Sequence, residues 1–347
     1  MNSKKVMFHT KTRRKTFFPL SFFVSSCLCV IAFVFTFVFA QENPAPNATD
    51  LKPRPAEMAP RATSSLLLGI AQAGERVVAV GDRGVILISR DGLKWQQLPS
   101  PVHATLTAVS FADAQTGWVV GHDATILHTR DGGQTWSLQQ FQPEGSKPLL
   151  GVLALDAQRA YAVGAYGLFL ATTDGGASWS PVDAPALLED GRHLNALIRL
   201  GNGELFVAGE TGLVGVSADG ADWKRLTLPY EGSLFGALPR GDKGALVFGL
   251  RGNVYASDDV RGGQWVKVET QTVQSMFGGA ALPSGEIVLV GADGEILLLS
   301  AAGVIRKARG PKDEHSFGSG TLSGVLSRNG ELLLVGETGI SRLKPGA

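Results

Sequence analysis

The sequence predicts an all-β fold, a seven-bladed β-propeller of four-stranded blades, and three observations predict it. A glycine closes an apolar run seven times, at Gly81, Gly121, Gly164, Gly209, Gly249, Gly291 and Gly336, with gaps of 40, 43, 45, 40, 42 and 45 residues. A small residue stands 12 or 13 positions before each one, at Gly69, Ala108, Gly151, Ala196, Gly236, Gly278 and Gly324. Behind four of these glycines comes an Asp-Gly turn that leads to a tryptophan. A period in the low forties, with several short strand-like runs in each unit, is that of a propeller blade.

The second unit shows the elements most clearly. Leu106 to Phe111 reads as strand A, Gly117 to Gly121 as strand B, Thr125 to Thr129 as strand C and Trp136 to Gln140 as strand D. Turn residues separate them: Asp113-Ala114-Gln115, His122-Asp123 and Asp131-Gly132-Gly133. The small residue in strand A has a steric reason, because the innermost strands converge on the axis and leave room only for Gly or Ala. In the C–D turn the aspartate accepts backbone N–H groups of its own turn. Its glycine tolerates φ > 0, and the tryptophan buries a large ring. The four turns place Asp91 with Trp95, Asp131 with Trp136, Asp174 with Trp179 and Asp219 with Trp223. These eight residues are read as structural. A distorted copy runs from Asp258 to Trp265, and units six and seven lack the motif. The many glycines at strand ends, the seven markers among them, are read as turn glycines.

These turns resemble the Asp boxes of sialidases and sortilin-type propellers. The fuller pattern is Val-Gly-x-x-Gly-x-(Ile/Leu) running into Ser/Thr-x-Asp-Gly-Gly-x-x-Trp. It resembles the photosystem II stability/assembly factor family, over about residues 65–343. The resemblance implies a seven-bladed propeller, an exported location, and a role in assembling a membrane complex without catalysis or cofactor. Relatives of this family also occur in bacteria that do not photosynthesise. The family's basic binding patch has no residue-by-residue match in this sequence.

Residues 1–16 carry six Lys or Arg and no acid, and Phe17 to Ala40 is almost wholly apolar. Residues 1–40 therefore read as an export signal, cleaved near Ala40 or kept as an anchor over residues 17–40. Either way the propeller lies in a periplasm or lumen. Residues 41–60, with five prolines, read as a mobile linker, and residues 61–347 as the propeller. Both cysteines, Cys27 and Cys29, fall in the apolar run, so the exported body has no disulfide or thiol chemistry. The chain carries 32 basic and 31 acidic residues, of which 26 and 31 follow residue 40. A mildly acidic body argues against a nucleic-acid partner. The chain ends soon after a seventh strand C, Gly339 to Leu343. Residues Glu57 to Ser65 are expected to supply the missing outer strand and close the ring, the alternative being a three-stranded last blade.

Strand alternation sets the B–C turns and the D–A connections at one end of the ring, and the A–B turns and Asp boxes at the other. Long loops on a rigid scaffold are where binding residues gather. The partner-binding candidates are therefore Arg83, His122, Asp123, Tyr166, Arg251 and Asp293. No residue set for catalysis emerges. A sialidase needs an arginine trio and a Tyr–Glu pair. Of the four tyrosines, Tyr161 and Tyr255 lie in strands as packing residues, leaving Tyr166 and Tyr230 for the loop end, and nothing in the sequence brings them together with Glu210 or Glu231. His103, His122, His128, His193 and His315 stand singly, without metal-ligand spacing. Ser233 to Gly236, Ser275 to Gly278 and Ser316 to Gly318 share a Ser…Phe-Gly ending that sets aromatics near the channel mouth. Packing between blades is the first reading of them and an apolar patch the second. The sequence thus points to a monomeric scaffold that binds a membrane protein or complex through its loop end. A sialidase-like glycoside hydrolase or a glycan-binding propeller is the alternative.

Overall fold

The computed structural model describes residues 52–145, 147–301, 303–308 and 320–344. The expected export segment, the cleavage site at Ala40 and residues 309–319, with His315 and Phe317, lie outside them. Six four-stranded antiparallel sheets and one three-stranded sheet follow one another in sequence. Blade 1 is Leu67–Ala73, Arg76–Gly81, Ile86–Ser89 and Gln96–Leu98. Blade 2 is Leu106–Phe111, Gly117–Gly121, Ile126–Thr129 and Ser137–Gln140, within a residue of the expected bounds. Every strand A packs on the strand A of the next blade, and that of blade 7 on that of blade 1, which closes a seven-bladed ring.

The core lies between blades rather than in one centre. Strand B is buried along its length in blades 2, 4 and 5 and at all but one residue in the others, because sheets cover both its faces. The small residues of strand A meet one another around the axis. A Cβ on Gly69 would stand 3.2 Å from the Ala108 Cα, and one on Gly278 would stand 2.9 Å from the Gly324 Cα.

The seven marker glycines have a different cause from the one their position suggests. Those with recorded angles are extended, from Gly249 at φ −176° to Gly209 at φ −161°, so they are not turn glycines. Instead, a Cβ on any of the seven would stand 2.0 to 2.2 Å from the carbonyl oxygen just before strand A. That oxygen is Leu66 O for Gly81, Thr105 O for Gly121 and Ser275 O for Gly291. The same oxygen accepts the N–H of the residue after the glycine, as in Asp82 to Leu66 at 2.9 Å and His122 to Thr105 at 2.8 Å.

The Asp boxes behave as expected of turn-forming devices. Asp91 Oδ1 accepts the N–H groups of Leu93 and Lys94, both at 2.8 Å, and the Ser89 hydroxyl. Asp131, Asp174 and Asp219 repeat the pattern with their own turns. The indole N–H of Trp95, Trp136 and Trp223 returns to the carbonyl of the box glycine. Trp179 departs from this and donates to Gln139 Oε1 of blade 2, which also accepts from Trp118. In the distorted copy the capping role passes to Asp259, which accepts from Arg261 and Gly262, while Asp258 pairs with Arg240. Backbone N–H bonds from Lys94 and Leu93 hold Asp91 down at about 2, and the Ser178 hydroxyl and N–H do the same for Asp174.

Closure of the ring departs from the expectation. Residues Glu57 to Ser65 form no strand. Ala62–Ser64 is a short 3-10 turn, and blade 7 has three strands among the described residues. The end of the proline-rich stretch is tied to blade 1 rather than mobile. Ala56 N–H donates to Ser100 O at 3.0 Å, and the Gln97 amide clamps Ala59 N–H and Glu57 O. The seam itself is held by strand A. Ser323 Oγ donates to Leu67 O at 2.6 Å, and Arg328 donates to Glu75 O and Arg90 O.

Two outcomes test this account. Gly121→Ala places a methyl on Thr105 O, with an expected cost of about 3 kcal/mol in denaturant unfolding, whereas Gly145→Ala, whose Cβ meets nothing nearer than 3.8 Å, is expected to be neutral. For Asp91 and Asp174 the folded values lie below the free value of 3.8. Their stabilisation is therefore present above about pH 4 and lost as pH falls toward 2. The double change Asp91→Asn with Asp174→Asn keeps an acceptor but removes the titration. It should flatten the urea midpoint against pH across that window.

Candidate functional site

The B–C turns and D–A connections do share one end of the ring, and hydrogen bonds join them. Gly167 N–H donates to Arg192 O, Gly212 N–H to Gly232 O and Ala124 N–H to Lys147 O. The Asp boxes lie at the other end, against the A–B turns. There Gly132 N–H meets Gln115 O, and Gly175 N–H meets Gln158 O.

Each B–C turn of blades 1 to 6 is a two-residue hairpin with both central residues at positive φ. The second is glycine in five of them, and blade 2 uses Ala124 at φ 46°. The first is not glycine in any: Arg83 at φ 52°, Asp123 at 58°, Tyr166 at 56°, Thr211 at 53°, Arg251 at 56° and Asp293 at 52°. Asn or Gly sits in this region at least cost, and a bulky side chain there is an outlier. Five of the six partner-binding candidates thus share one repeated left-handed position, where Arg83, Tyr166 and Arg251 are outliers and Asp123 and Asp293 are tolerated, and the sixth, His122, directly precedes Asp123. The x-Gly pair before strand C is the signal that would have revealed the conformation. Arg83, Tyr166, Arg251 and Asp293 are exposed, His122 is exposed and Asp123 is half-buried.

The turns are coupled in pairs by the start of the following strand A. Thr105 accepts the His122 N–H and donates its hydroxyl to Asp82, which precedes Arg83. His193 stacks edge-on against Tyr166 at 4.9 Å, and its N–H donates to Glu210 at 3.2 Å. Ser275 Oγ accepts the Arg251 N–H, and the neighbouring Gln274 amide donates to Asp293 at 2.7 Å. Thr105, Gln274 and Ser275 carried no functional signal in sequence, since hydroxyl and amide residues are ordinary in loops. Arg83 also stands 3.6 Å from Asp82, an exposed pair of small energetic weight.

The remaining candidates fall elsewhere. Tyr230 donates to Leu250 O at 3.1 Å and lies against Tyr255, and burial raises its pKa. Tyr161 packs against Phe169. His128 is buried and stacks on Trp118 at 4.7 Å, and burial, with Arg130 nearby, lowers it to about 4. Among the described residues no group of three His, Cys, Asp or Glu stands close enough to hold a metal. Phe235 and Phe277 contact each other at 5.2 Å and are half-buried, so they pack between blades 5 and 6. They occupy the bulge at the start of strand A. In other blades that bulge carries Thr107, Asn195 or Ser323, each donating to the next blade's strand A.

A family profile described as photosynthesis system II assembly factor YCF48 matches residues 87–188 and 139–304. The photosystem II assembly protein Ycf48 of Thermosynechococcus vestitus is 50% identical over 42 residues, 12% of this chain and 12% of that protein. The photosystem II stability/assembly factor HCF136 of Cyanidioschyzon merolae is 40% identical over 53 residues, 15% of this chain and 12% of its own. The matches thus span about an eighth of each relative's length. Among solved structures, a YCF48 bound to D1 peptide superposes with a TM-score of 0.63 at 21% identity, over 84% of this chain and 96% of the other. YCF48 from Cyanidioschyzon merolae gives 0.66 at 17% identity, over 85% and 99%. At these identities the structural likeness concerns the fold.

Strain at the turn tips is measurable without knowing a partner. Tyr166→Asn suits the left-handed backbone better and should raise stability by about 1 kcal/mol in denaturant unfolding. Tyr166→Ala keeps the strain, loses the His193 contact and should lower it.

Proposed function

The chain belongs to the photosynthesis system II assembly factor YCF48 family, and from that premise we propose that it is an exported, non-enzymatic assembly factor. It acts as a monomer, in a periplasm or lumen, and holds a segment of a membrane protein or complex at its loop end. The observation that carries this reading is the ring of non-glycine residues in left-handed turns. Arg83, Tyr166 and Arg251 occupy positions where glycine, asparagine or aspartate relieves the backbone, yet they present exposed charged or aromatic side chains. Local strain of this kind, held by a rigid scaffold, is a mark of functional surfaces.

The mechanism is recognition by a preorganised surface. The paired turns hold their tips through Thr105, His193 and Gln274–Ser275. Little side-chain freedom is then lost when a partner binds. Tyr166 supplies a rigid amphipathic contact of the type that dominates binding hot spots. Arg83 and Arg251 offer forked donors for carboxylates or backbone carbonyls, and Asp123 and Asp293 complement basic groups. A mixed-sign face favours a segment with both charges over a polyanion. This agrees with the mildly acidic body.

The test uses two baits, the native propeller and a variant with Arg83, His122, Tyr166 and Arg251 changed to Ala. A D1 peptide, named for the solved relative, serves as the first soluble probe by fluorescence polarisation, and crosslinked membranes as the second by capture and mass spectrometry. Binding to the native bait that weakens more than about tenfold in the variant is expected, since each lost hot spot costs about 1 kcal/mol or more. Equal binding to both baits removes the loop end as the face. Absence of any membrane-protein capture removes the assembly reading and leaves glycan binding as the next question.

A further inference from the structure

Among the described residues blade 7 is built differently from the other six, and the difference leaves a strand edge open. Its third strand, Gly339–Leu343, pairs with Glu331–Gly336 on one side only. In the other blades a fourth strand covers the corresponding edge, as Gln96–Leu98 covers Ile86–Ile88. Among the described residues the 3-10 turn Ala62–Ser64 touches only the start of the edge, where a Cβ on Gly339 would meet Thr63 O. The described part of the entering segment, from residue 52, forms no strand along the rest. Residues 56–59 are bound to Ser100 and Gln97 of blade 1, and from Ala62–Ser64 the chain passes directly into the first strand of blade 1.

The open edge also carries polar groups without partners. Ser341 is nine-tenths buried and its hydroxyl bonds nothing, and the Arg342 Nε–H is buried and unpaired. Buried polar atoms normally find a partner; the Arg342 Nε–H can donate to an acceptor, whereas an unpaired hydroxyl also occurs at Ser257 on the covered third strand of blade 5 and does not by itself mark the edge. The charge pattern points the same way. In blade 6 the cations sit on the fourth strand, Arg306 facing Glu286 and Lys307 facing Glu295. In blade 7 the cations belong to the third strand and its extension, where Arg342 and Lys344 share the single carboxylate of Glu331. A strand completing blade 7 therefore meets an excess of positive charge. The charged side chains that ordinarily protect an edge from pairing are here partly neutralised within the sheet.

We propose that the outer edge of Gly339–Leu343 is a docking edge for an extended, acidic segment of a partner protein. The segment enters antiparallel as the fourth strand of blade 7 and sets a carboxylate against Arg342 and Lys344. Main-chain bonds supply the affinity and the carboxylate the selectivity, as in other strand-addition complexes. This surface lies on the rim of the ring and is separate from the loop-end face.

The test uses the full propeller and two capped heptapeptides, one alternating valine with glutamate and the other valine with lysine. Backbone hydrogen exchange is followed across residues 339–343. The glutamate peptide should slow exchange there by about tenfold or more, and the lysine peptide should leave it unchanged. Lys344→Glu, an exposed change that spares the fold, should reverse the preference, and Arg342→Glu should do so more strongly. Changes at Arg83, His122, Tyr166 and Arg251 should have no effect. Exchange unaffected by either peptide overturns the proposal. So does protection already present without peptide, which would mean that the chain covers its own edge. Protection that rises with protein concentration alone would assign the edge to a second copy and would equally overturn it.

Discussion

One contact recurs in all seven blades and sets the rest of the architecture: the N–H after each marker glycine reaches back to the carbonyl just before strand A. The bond is 2.8 to 3.0 Å long in every blade. The glycine is needed because its missing Cβ would occupy the place of that oxygen. Drawing the start of strand A so close to the end of strand B produces the register shift seen at that point in all seven blades, such as Leu106/Ala108 and Leu234/Gly236. The resulting bulge turns one side chain of strand A sideways toward the next blade. A single short contact thereby links strand pairing within a blade to packing between blades.

The same contact fixes the loop end. With the residue after the glycine held to strand A, the chain has only two residues in which to reverse into strand C, and a primed turn with two left-handed residues is the solution. The scaffold requires that geometry but not a particular side chain at its tip, since the tip faces solvent. Blades 1, 3, 4, 5 and 6 accordingly present Arg83, Tyr166, Thr211, Arg251 and Asp293 on nearly identical backbones. The strain they carry is small beside the inter-blade core, in which residues such as Trp118 and Phe206 are wholly buried. A stable ring can therefore tolerate unfavourable residues at its tips if those residues serve recognition.

Much of this was legible in sequence because the constraint falls on residue type. A glycine that excludes a Cβ and an aspartate that caps a turn cannot be replaced freely, so both appear as periodic letters, and the strand bounds of blade 2 follow from them. The cause of the marker glycines was not legible. Extended and turn glycines look alike until φ is known. The left-handed tips were hidden for the opposite reason, since their side chains vary from Arg to Thr while their backbone does not. Closure at blade 7 was misread because Glu57 to Ser65 has the right position for an outer strand. Its polar groups are instead satisfied locally by Gln97, Ser100 and a 3-10 turn. The bridging role of Thr105 and Ser275 depends on distances between blades that no periodicity encodes.

The blades are therefore alike where the backbone needs them to be and differ where side chains meet the outside, and family membership is informative in the same proportion. The letters that carry the resemblance in this sequence are glycines, box aspartates and tryptophans, which specify how the ring is built. Arg83, Tyr166 and Arg251 occupy one backbone site with three chemistries, so a relative with the same ring can present a different set there. Blade 7 extends the point to the rim. Its second strand keeps the glycine contact at Gly336, but its third strand carries the cations itself rather than leaving them to a neighbour. Selection acting on the scaffold alone has no reason to move those charges inward, because Arg306 and Lys307 show that the outer strand can hold them. The feature makes physical sense if the neighbour is another molecule. The loop-end tips and the blade 7 edge are thus the two places where this chain says something that its fold does not.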